Sequence, residues 1–173
     1  MVSDRATTDE EVRDPYFQVQ VAALRLKRLA EMYQWKEESS TKTEKNAGGS
    51  ETKTTEYRYK KNWSQSLIDS GNFKRPQGHE NPSSMSVKSD EFLAKVIQLG
   101  EFRLPATLAR KISNDEDVVL TAEDFAKLPE EDRARFTLYD GGLYLGDNPD
   151  SPAIGDVRVS FEQVKPAAVT VRS

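Results

Sequence analysis

Two aromatic stretches of the chain alternate between apolar and polar positions, and a polar segment containing glycines separates them. Tyr57 to Trp63 alternates in the manner of a β-strand. Leu24 to Glu38 fits a strand with a bulge near Arg28, although its apolar residues also fit a helical stripe. Because the sequence between the two stretches is rich in threonine, the pattern favours one long β-hairpin that turns around Gly48.

The position of the turn sets the register of the predicted hairpin. Centring the turn on the glycines places Trp35 near Tyr59, and it places Tyr33 near Lys61 or Trp63. Aromatic pairs across neighbouring strands each contribute roughly 0.2–1 kcal/mol to stability. The tip of the hairpin is polar, so we expect it to project into water.

The C-terminal half of the chain carries shorter elements. Thr121, followed three residues later by Asp124, has the form of a capping box and predicts a helix that ends at Leu128. Asp140-Gly141 predicts a tight hairpin turn. The remaining predicted elements are a strand or strand pair at 91–104, short helices at 106–112 and 129–133, and strands at 157–161 and 168–171.

Residues 66–89 are rich in glycine, proline and serine and predict a long loop. So long a segment without regular structure is uncommon in a compact domain, so the loop is functional, mobile or pinned to the sheet by Ile68, Phe73 and Met85. The predicted fold class is α+β, mainly antiparallel β with a long hairpin and two or three short helices. We expect residues 1–173 to form a single domain that contains this loop.

Composition narrows the range of functions. The net charge of −4 does not suit nucleic acid, which proteins bind through a basic surface, so we predict no nucleic-acid partner. The absence of cysteine excludes disulfides, thiolate zinc sites and a cysteine nucleophile. No apolar run approaches the roughly 20 residues that a membrane helix needs.

His79 is the only histidine and the main candidate for chemistry. A zinc or transition-metal site needs further imidazole or thiolate ligands, which the chain lacks. Asp147, Asp150 and Asp156 do not have the alternate spacing of a calcium loop. We therefore predict no metal site, no cofactor and no catalytic residue, and we expect His79 and Asn81 to fix a turn through backbone hydrogen bonds.

Five groups of residues, in order along nearly the whole chain, resemble one family. They are Asp14-Pro15-x-Phe17 with Ala23-Leu24-Arg25-Leu26-x-Arg28 and Glu31-Met32-Tyr33-Gln34-Trp35, then Trp63-Ser64 with Ile68-Asp69-Ser70 and Phe73, then Gly78-His79-x-Asn81-Pro82, then Gly100-x-Phe102-x-Leu104, and finally Tyr144-x-Gly146-x-Asn148-Pro149 continuing to Ile154-Gly155-Asp156-x-Arg158-Val159-x-Phe161. They are similar to the extramembrane domain of the transmembrane-protein-43 (LUMA) family, and the last group is the most specific.

The resemblance implies membrane helices on both sides of a large extramembrane domain. We therefore expect this chain to be that domain, truncated at both ends, and to belong to a membrane-anchored protein. In animal members the domain faces the lumen of the endoplasmic reticulum and nuclear envelope, and the family is linked with lamins and emerin. The sequence resembles a bacterial member more closely, in which the same side is extracytoplasmic and lamin partners are not expected.

The predicted function is a non-catalytic structural or protein-interaction domain of a multi-pass membrane protein. The alternative is a ligand-binding or hydrolytic extracytoplasmic domain that uses the His79 loop. We expect protein partners at the membrane, a second copy of the chain among them, and membrane association through segments outside this chain. The predicted interaction surface comprises Gly78, His79, Asn81, Pro82, Tyr57, Tyr59 and Trp63.

Overall fold

The computed structural model describes residues 2–171, which form β-sheets connected by turns and short helices. In chain order the strands are β1 (Val2–Thr7), β2 (Val12–Arg13), β3 (Gln20–Val21), β4 (Arg25–Lys45), β5 (Glu51–Ser64), β6 (Asp90–Leu93), β7 (Gln98–Leu99), β8 (Phe102–Arg103), β9 (Asp115–Val118), β10 (Thr137–Tyr139), β11 (Gly142–Leu145), β12 (Val157–Val164) and β13 (Ala167–Val171). The helices are α1 (Ala106–Ala109), α2 (Ala122–Ala126) and α3 (Glu130–Arg135).

The largest sheet is built around β4. Its strand order is β10-β11-β12-β4-β5, β6 also pairs with β4, and β9 pairs with β12. Every pairing in this sheet is antiparallel. The first half of β4 lies between β12 and β6, whereas its second half pairs with β5 alone. One strand therefore passes from the body of the domain into a two-stranded ribbon.

The core lies against one face of this sheet. Successive residues of a strand point to opposite faces, so Leu26, Ala30 and Met32 of β4 lie on the same side, and all three are buried. Val159 of β12 is opposite Ala30 and extends this apolar surface. The ring of Phe17, from the N-terminal segment, packs edge-on against two further buried aromatic rings, those of Phe136 and Phe161.

A buried ion pair holds the N-terminal segment against β4. Arg28 Nη1 donates to both carboxylate oxygens of Asp14 at 2.7 Å, and the Asp14 side chain is fully buried. Asp14 Oδ1 also accepts a hydrogen bond from the backbone N–H of Tyr16. The charge of Arg28 on the core face of β4 is thus compensated. A second sheet, of order β13-β1-β7-β8, brings the first described strand beside the last one.

The predicted hairpin is confirmed, but two of its details are wrong. Tyr33 lies opposite Trp63 as predicted, whereas Trp35 lies opposite Lys61 instead of Tyr59. The register of β4 with each neighbour is continuous past Arg28, so the strand has no bulge there. The bulge is unnecessary because both faces of β4 carry large side chains, with apolar residues on the core face and aromatic residues on the other.

The predicted α+β class is also wrong. Strands make up 45% of the residues and helices 11%, and the structure is a β-rich fold with a few short helices. The helices contain four, five and six residues, so each forms less than two turns and cannot make a separate helical layer. The predicted capping box is confirmed, because Thr121 and Asp124 exchange both of its hydrogen bonds at the start of α2.

Candidate interaction surface

The loop after β5 crosses one face of the ribbon and is held there by a buried glutamine. The Gln34 side chain is fully buried, although it is polar and its neighbours Tyr33 and Trp35 are only partly buried. Its Nε2 donates to the carbonyl of Ser66 at 3.0 Å, and its Oε1 accepts from the backbone N–H of Ile68 at 2.8 Å. Both polar ends of the amide are satisfied, which offsets the cost of burying it.

The same loop returns on the opposite face of the ribbon. His79 stacks on Tyr59 with ring centroids 3.8 Å apart and an interplanar angle of 15°, and it meets Trp35 edge-on at 4.8 Å. Phe73 packs against the same tyrosine at 5.8 Å, and the Lys61 ammonium lies 4.9 Å from the centroid of the Trp35 ring. These five side chains form one aromatic cluster at the base of the ribbon.

Hydrogen bonds to Tyr59 and Glu37 fix the loop over this cluster. The Tyr59 hydroxyl donates to Glu37 Oε2 at 2.7 Å, and that oxygen also accepts from the backbone N–H of Lys74 at 2.6 Å. The same hydroxyl accepts from the N–H of Arg75 at 2.9 Å, and His79 Nδ1 lies 2.9 Å from the Arg75 carbonyl. Desolvation and the hydrogen bond to Glu37 raise the pKa of the Tyr59 hydroxyl above its ordinary value.

Two side chains take the place of missing strands along β4. The backbone N–H of Trp35 donates to Asn81 Oδ1 at 2.7 Å, and the Trp35 carbonyl accepts from Asn81 Nδ2 at 2.9 Å. Both bonds lie on the edge of β4 where β12 has already ended. The backbone of Ala30 faces the other edge, in the gap between Asp90, which begins β6, and Ser64, which ends β5. Its N–H donates to Ser89 Oγ at 2.9 Å, and this hydroxyl donates back to the Ala30 carbonyl at 3.3 Å.

Beyond these contacts, the two strands form what we call the ribbon arm, residues 36–60. All residues from 39 to 56 are exposed. The arm extends about 30 Å from its base, given a rise of about 3.3 Å per residue along β4. Residues on β4 that follow Trp35 in steps of two direct their backbone groups away from β5, and no strand within residues 2–171 pairs with them. The outer edge of β5 is likewise unpaired by any described strand.

The structure brings together only part of the predicted surface. His79, Asn81 and Tyr59 meet at the base of the arm, whereas Tyr57 lies further along the arm, opposite Ser39. Trp63 belongs to a different aromatic cluster on the body of the domain. Gly78 has a positive φ of 81° and allows the turn that presents His79, while Pro82 is half-buried after it.

Sequence patterns did not indicate the contribution of Gln34, Glu37 and Ser89. Glu37 and Ser89 stand among polar residues, and Gln34 stands between two aromatic ones. The role of each depends on segments that are distant along the chain. The side-chain hydrogen bonds of His79 within residues 2–171 are limited to the carbonyl of Arg75. No group of three or more histidine, cysteine, aspartate or glutamate residues in the same range is arranged to hold a metal ion.

Comparison with known proteins identifies the family. The family model for transmembrane protein 43 matches residues 32–173. Transmembrane protein 43 of Mus musculus is 40% identical over 156 residues, and that of Homo sapiens is 35% identical over 154 residues. This chain belongs to the transmembrane protein 43 family. The homolog in Drosophila melanogaster is 29% identical over 157 residues, or 88% of this chain. No solved structure shows a significant match to the chain.

The family match covers the ribbon arm, its base and the loop that wraps it, whereas Asp14 and Arg28 lie before the matched range. The alignments with the mouse and human transmembrane protein 43 span 89% of this chain but 37% of those relatives. Among residues 2–171, no helix is both long enough and apolar enough to cross a membrane.

Proposed function

We propose that this chain is a non-catalytic protein-interaction domain of a membrane-anchored protein, and that its ribbon arm is the part that meets protein partners. The observation that carries the proposal is a difference between the part of β4 in the body of the domain and the part in the arm. Side chains of Ser89 and Asn81 complete the edges of this strand inside the body of the domain, whereas both outer edges of the arm are open to other strands. Open edges are sites where proteins accept a strand from a partner.

The construction of the base supports this role. An isolated two-stranded hairpin is marginally stable in water, so a long arm needs an anchor where it leaves the body. Gln34, the cluster around His79 and the hydrogen bonds to Glu37 supply one on both faces of the ribbon. Interspersed charges on the arm, including the ion pair of Lys60 with Glu38, oppose unspecific aggregation of the open edges.

Membrane anchoring is supported by the relatives, which are named transmembrane proteins. In this proposal the anchor belongs to parts of the full-length protein outside this chain, and the domain is extracytoplasmic, on the luminal side in eukaryotic relatives. The chain lacks cysteine, so Thr43→Cys introduces a single thiol into this domain at the exposed part of the arm. A membrane-impermeant maleimide should label it from the extracytoplasmic side of sealed membranes, and labelling only from the cytoplasmic side contradicts the proposed topology.

The interaction role is tested by shortening the arm. Residues 40–56 are replaced by Asn-Gly, a sequence suited to a two-residue turn, so that Ser39 and Tyr57 remain paired. The full-length protein with the short arm should fold and reach the membrane, but proteins that co-purify with the unmodified form should be lost. Retention of every partner by the shortened form contradicts the proposal.

A photo-cross-linking amino acid locates the contact directly. Incorporated at Thr43 in the full-length protein, it should give adducts in intact membranes. Glu123, which is exposed on α2 in the body of the domain, is the matched control position and should give none. Two differently tagged copies expressed together show whether the adduct contains a second copy of the chain or another protein.

A further inference from the structure

A second aromatic cluster borders an open cleft of about 410 Å³ on the body of the domain. Trp63 and Tyr144 have ring centroids 6.1 Å apart, and Tyr139 lies 5.9 Å from Tyr144. Tyr144 is buried and lines the cleft, and its hydroxyl donates to Asp156 at 2.6 Å. Trp63 and Tyr139 also line the cleft, and Tyr139 is 42% exposed. We call the lining around each of these two residues a wall of the cleft.

In the wall beside Trp63, the guanidinium of Arg158 already lies over the aromatic ring of Trp63. The Arg158 guanidinium carbon lies 4.5 Å from the centroid of the Trp63 ring, and Arg158 Nε donates to Glu31 Oε2 at 2.6 Å. Both charged residues line the cleft. Because Glu31 neutralises Arg158, this wall adds little net charge to the site.

The wall beside Tyr139 carries negative charge that no described cation neutralises. Asp140 lines the cleft from the β10–β11 turn, and Asp150 accepts a hydrogen bond from the Tyr139 hydroxyl at 3.1 Å. Within residues 2–171 neither carboxylate forms an ion pair. The hydrogen bond to Asp150, the charge of Asp150, desolvation and, least of the four, the charge of Asp140 raise the pKa of the Tyr139 hydroxyl. The half-exposed ring therefore stands in a negative electrostatic potential.

We propose that this cleft binds an organic cation, which is seated on the Tyr139 ring beside Asp140 and faces the neutralised wall of Trp63 and Arg158. An aromatic face and an unpaired carboxylate both attract a positive charge, and the partly enclosed cleft reduces its screening by water. The cation is a guanidinium or ammonium group of a polypeptide side chain, because a guanidinium, that of Arg158, already lies on the Trp63 ring of this cleft. The quaternary ammonium of a lipid headgroup is the competing ligand that the titrations below distinguish. The site lies on the body of the domain and is independent of the ribbon arm.

The chain contains two tryptophans, so Trp35→Phe leaves Trp63 as the single indole reporter in the cleft. The 173-residue chain with this substitution is titrated with N-acetylarginine amide and with choline. Their neutral counterparts, N-acetylcitrulline amide and 3,3-dimethylbutanol, are matched controls of nearly the same shape. We expect a saturable change of Trp63 emission at millimolar concentrations of at least one cation, and roughly tenfold weaker binding of its neutral counterpart.

Asp140→Asn is the decisive variant, because asparagine also tolerates the positive φ of 49° at this position. It should weaken cation binding roughly tenfold, whereas Asp147→Asn, in the next exposed turn and outside the cleft, should not change it. Binding of cation and neutral counterpart with equal affinity, or no saturable response, overturns the proposal. An NMR titration of the unmodified chain gives the same comparison without the Trp35 substitution. Tighter binding of the arginine amide assigns the site to a polypeptide, and tighter binding of choline assigns it to a lipid headgroup.

Discussion

The carboxamide of Asn81 forms with Trp35 both backbone hydrogen bonds that a neighbouring strand would have made. Its Nδ2 also donates to the Ile68 carbonyl at 3.2 Å, and its backbone N–H donates to Ser70 Oγ at 2.9 Å. One residue thus ties the long loop to the strand from which the ribbon arm projects. This side chain therefore contributes to the order of the arm's base, together with Gln34, Glu37 and the aromatic cluster.

Asn81→Ala removes both hydrogen bonds to Trp35, so the N–H and carbonyl of the half-buried Trp35 backbone lose these partners. We expect the free energy of unfolding to fall by about 1–3 kcal/mol, measured by urea denaturation. In hydrogen exchange the Trp35 amide should lose more protection than other amides of β4. Asn72→Ala is the matched control, since the Asn72 side chain is exposed and bonds only the neighbouring Asp69. Equal effects of the two substitutions would show that Asn81 does not stabilise the strand edge.

The ion pair of Arg28 with Asp14 should behave as a buried charge pair. Arg28→Ala leaves a fully buried carboxylate without its cation, so we expect a loss of about 3–5 kcal/mol in unfolding free energy. Arg28→Met combined with Asp14→Leu removes both charges. The unfolding free energy that this double substitution loses should be smaller than the sum of the losses from Arg28→Met alone and Asp14→Leu alone. Strict additivity in this double-mutant cycle would count against a direct interaction.

An exposed ion pair provides the control for that cycle. Lys60 donates to Glu38 at 2.7 Å on the ribbon arm, and both side chains are largely in water. Lys60→Ala should leave the urea midpoint unchanged, because solvent screens such a pair and the flexible side chains lose entropy when they are held together.

Gly142 allows β11, the second strand of the tight hairpin, to approach β12 closely. A Cβ atom on this residue would lie 2.4 Å from the carbonyl oxygen of Val159, which is a backbone atom and cannot rotate away. Gly142→Ala should therefore lower the unfolding free energy by about 1–3 kcal/mol. Gly48→Ala lies at the tip of the arm, where no described atom comes within 4 Å of the added Cβ. It should have little effect on the melting temperature when both variants are compared by thermal denaturation. Similar melting temperatures for the two variants would contradict the close packing at Gly142.

At neutral pH the protein with Asp132 should be less stable than a variant with an uncharged residue of the same shape at this position. Its side chain is buried, and its Oδ1 has no hydrogen-bond partner among residues 2–171. Burial raises the pKa of its carboxyl above the ordinary value of 3.8. Because the folded pKa is the higher one, ionisation destabilises the fold as the pH rises above 3.8 and passes through the folded pKa. Below that window the group is protonated in both states.

Asp132→Asn should therefore stabilise the chain at pH 7, and its advantage should disappear in acid below pH 3.8. The measurement is the urea midpoint of both forms across this range. Glu130→Gln, at an exposed position of the same helix, is the matched control and should show no such pH dependence. A stabilisation that is constant from acid to neutral pH would rule out the ionisation of Asp132 as its cause.

The sequence alone determined the elements whose signals are local. Alternation in Tyr57–Trp63 and the glycine turn at Gly48 predicted the hairpin, and Thr121 with Asp124 predicted the start of α2, because neighbours along the chain satisfy both. The family was also accessible from the sequence, since its motifs lie in order along the chain. The helices were predicted as well, but their lengths of four to six residues made the α+β class wrong.

Only the tertiary structure decided which polar residues complete the sheet and where the sites lie. Asn81, Ser89 and Gln34 bind the backbone of Trp35, Ala30 and Ile68, which lie 46, 59 and 34 residues away along the chain, so no local pattern marks them. The cleft that Trp63 and Tyr139 line likewise joins β5 and β10, which β11, β12 and β4 separate in the sheet. Hydrogen bonds and packing of this kind depend on the distance between atoms in space, and a linear pattern of apolar and polar positions does not contain that distance.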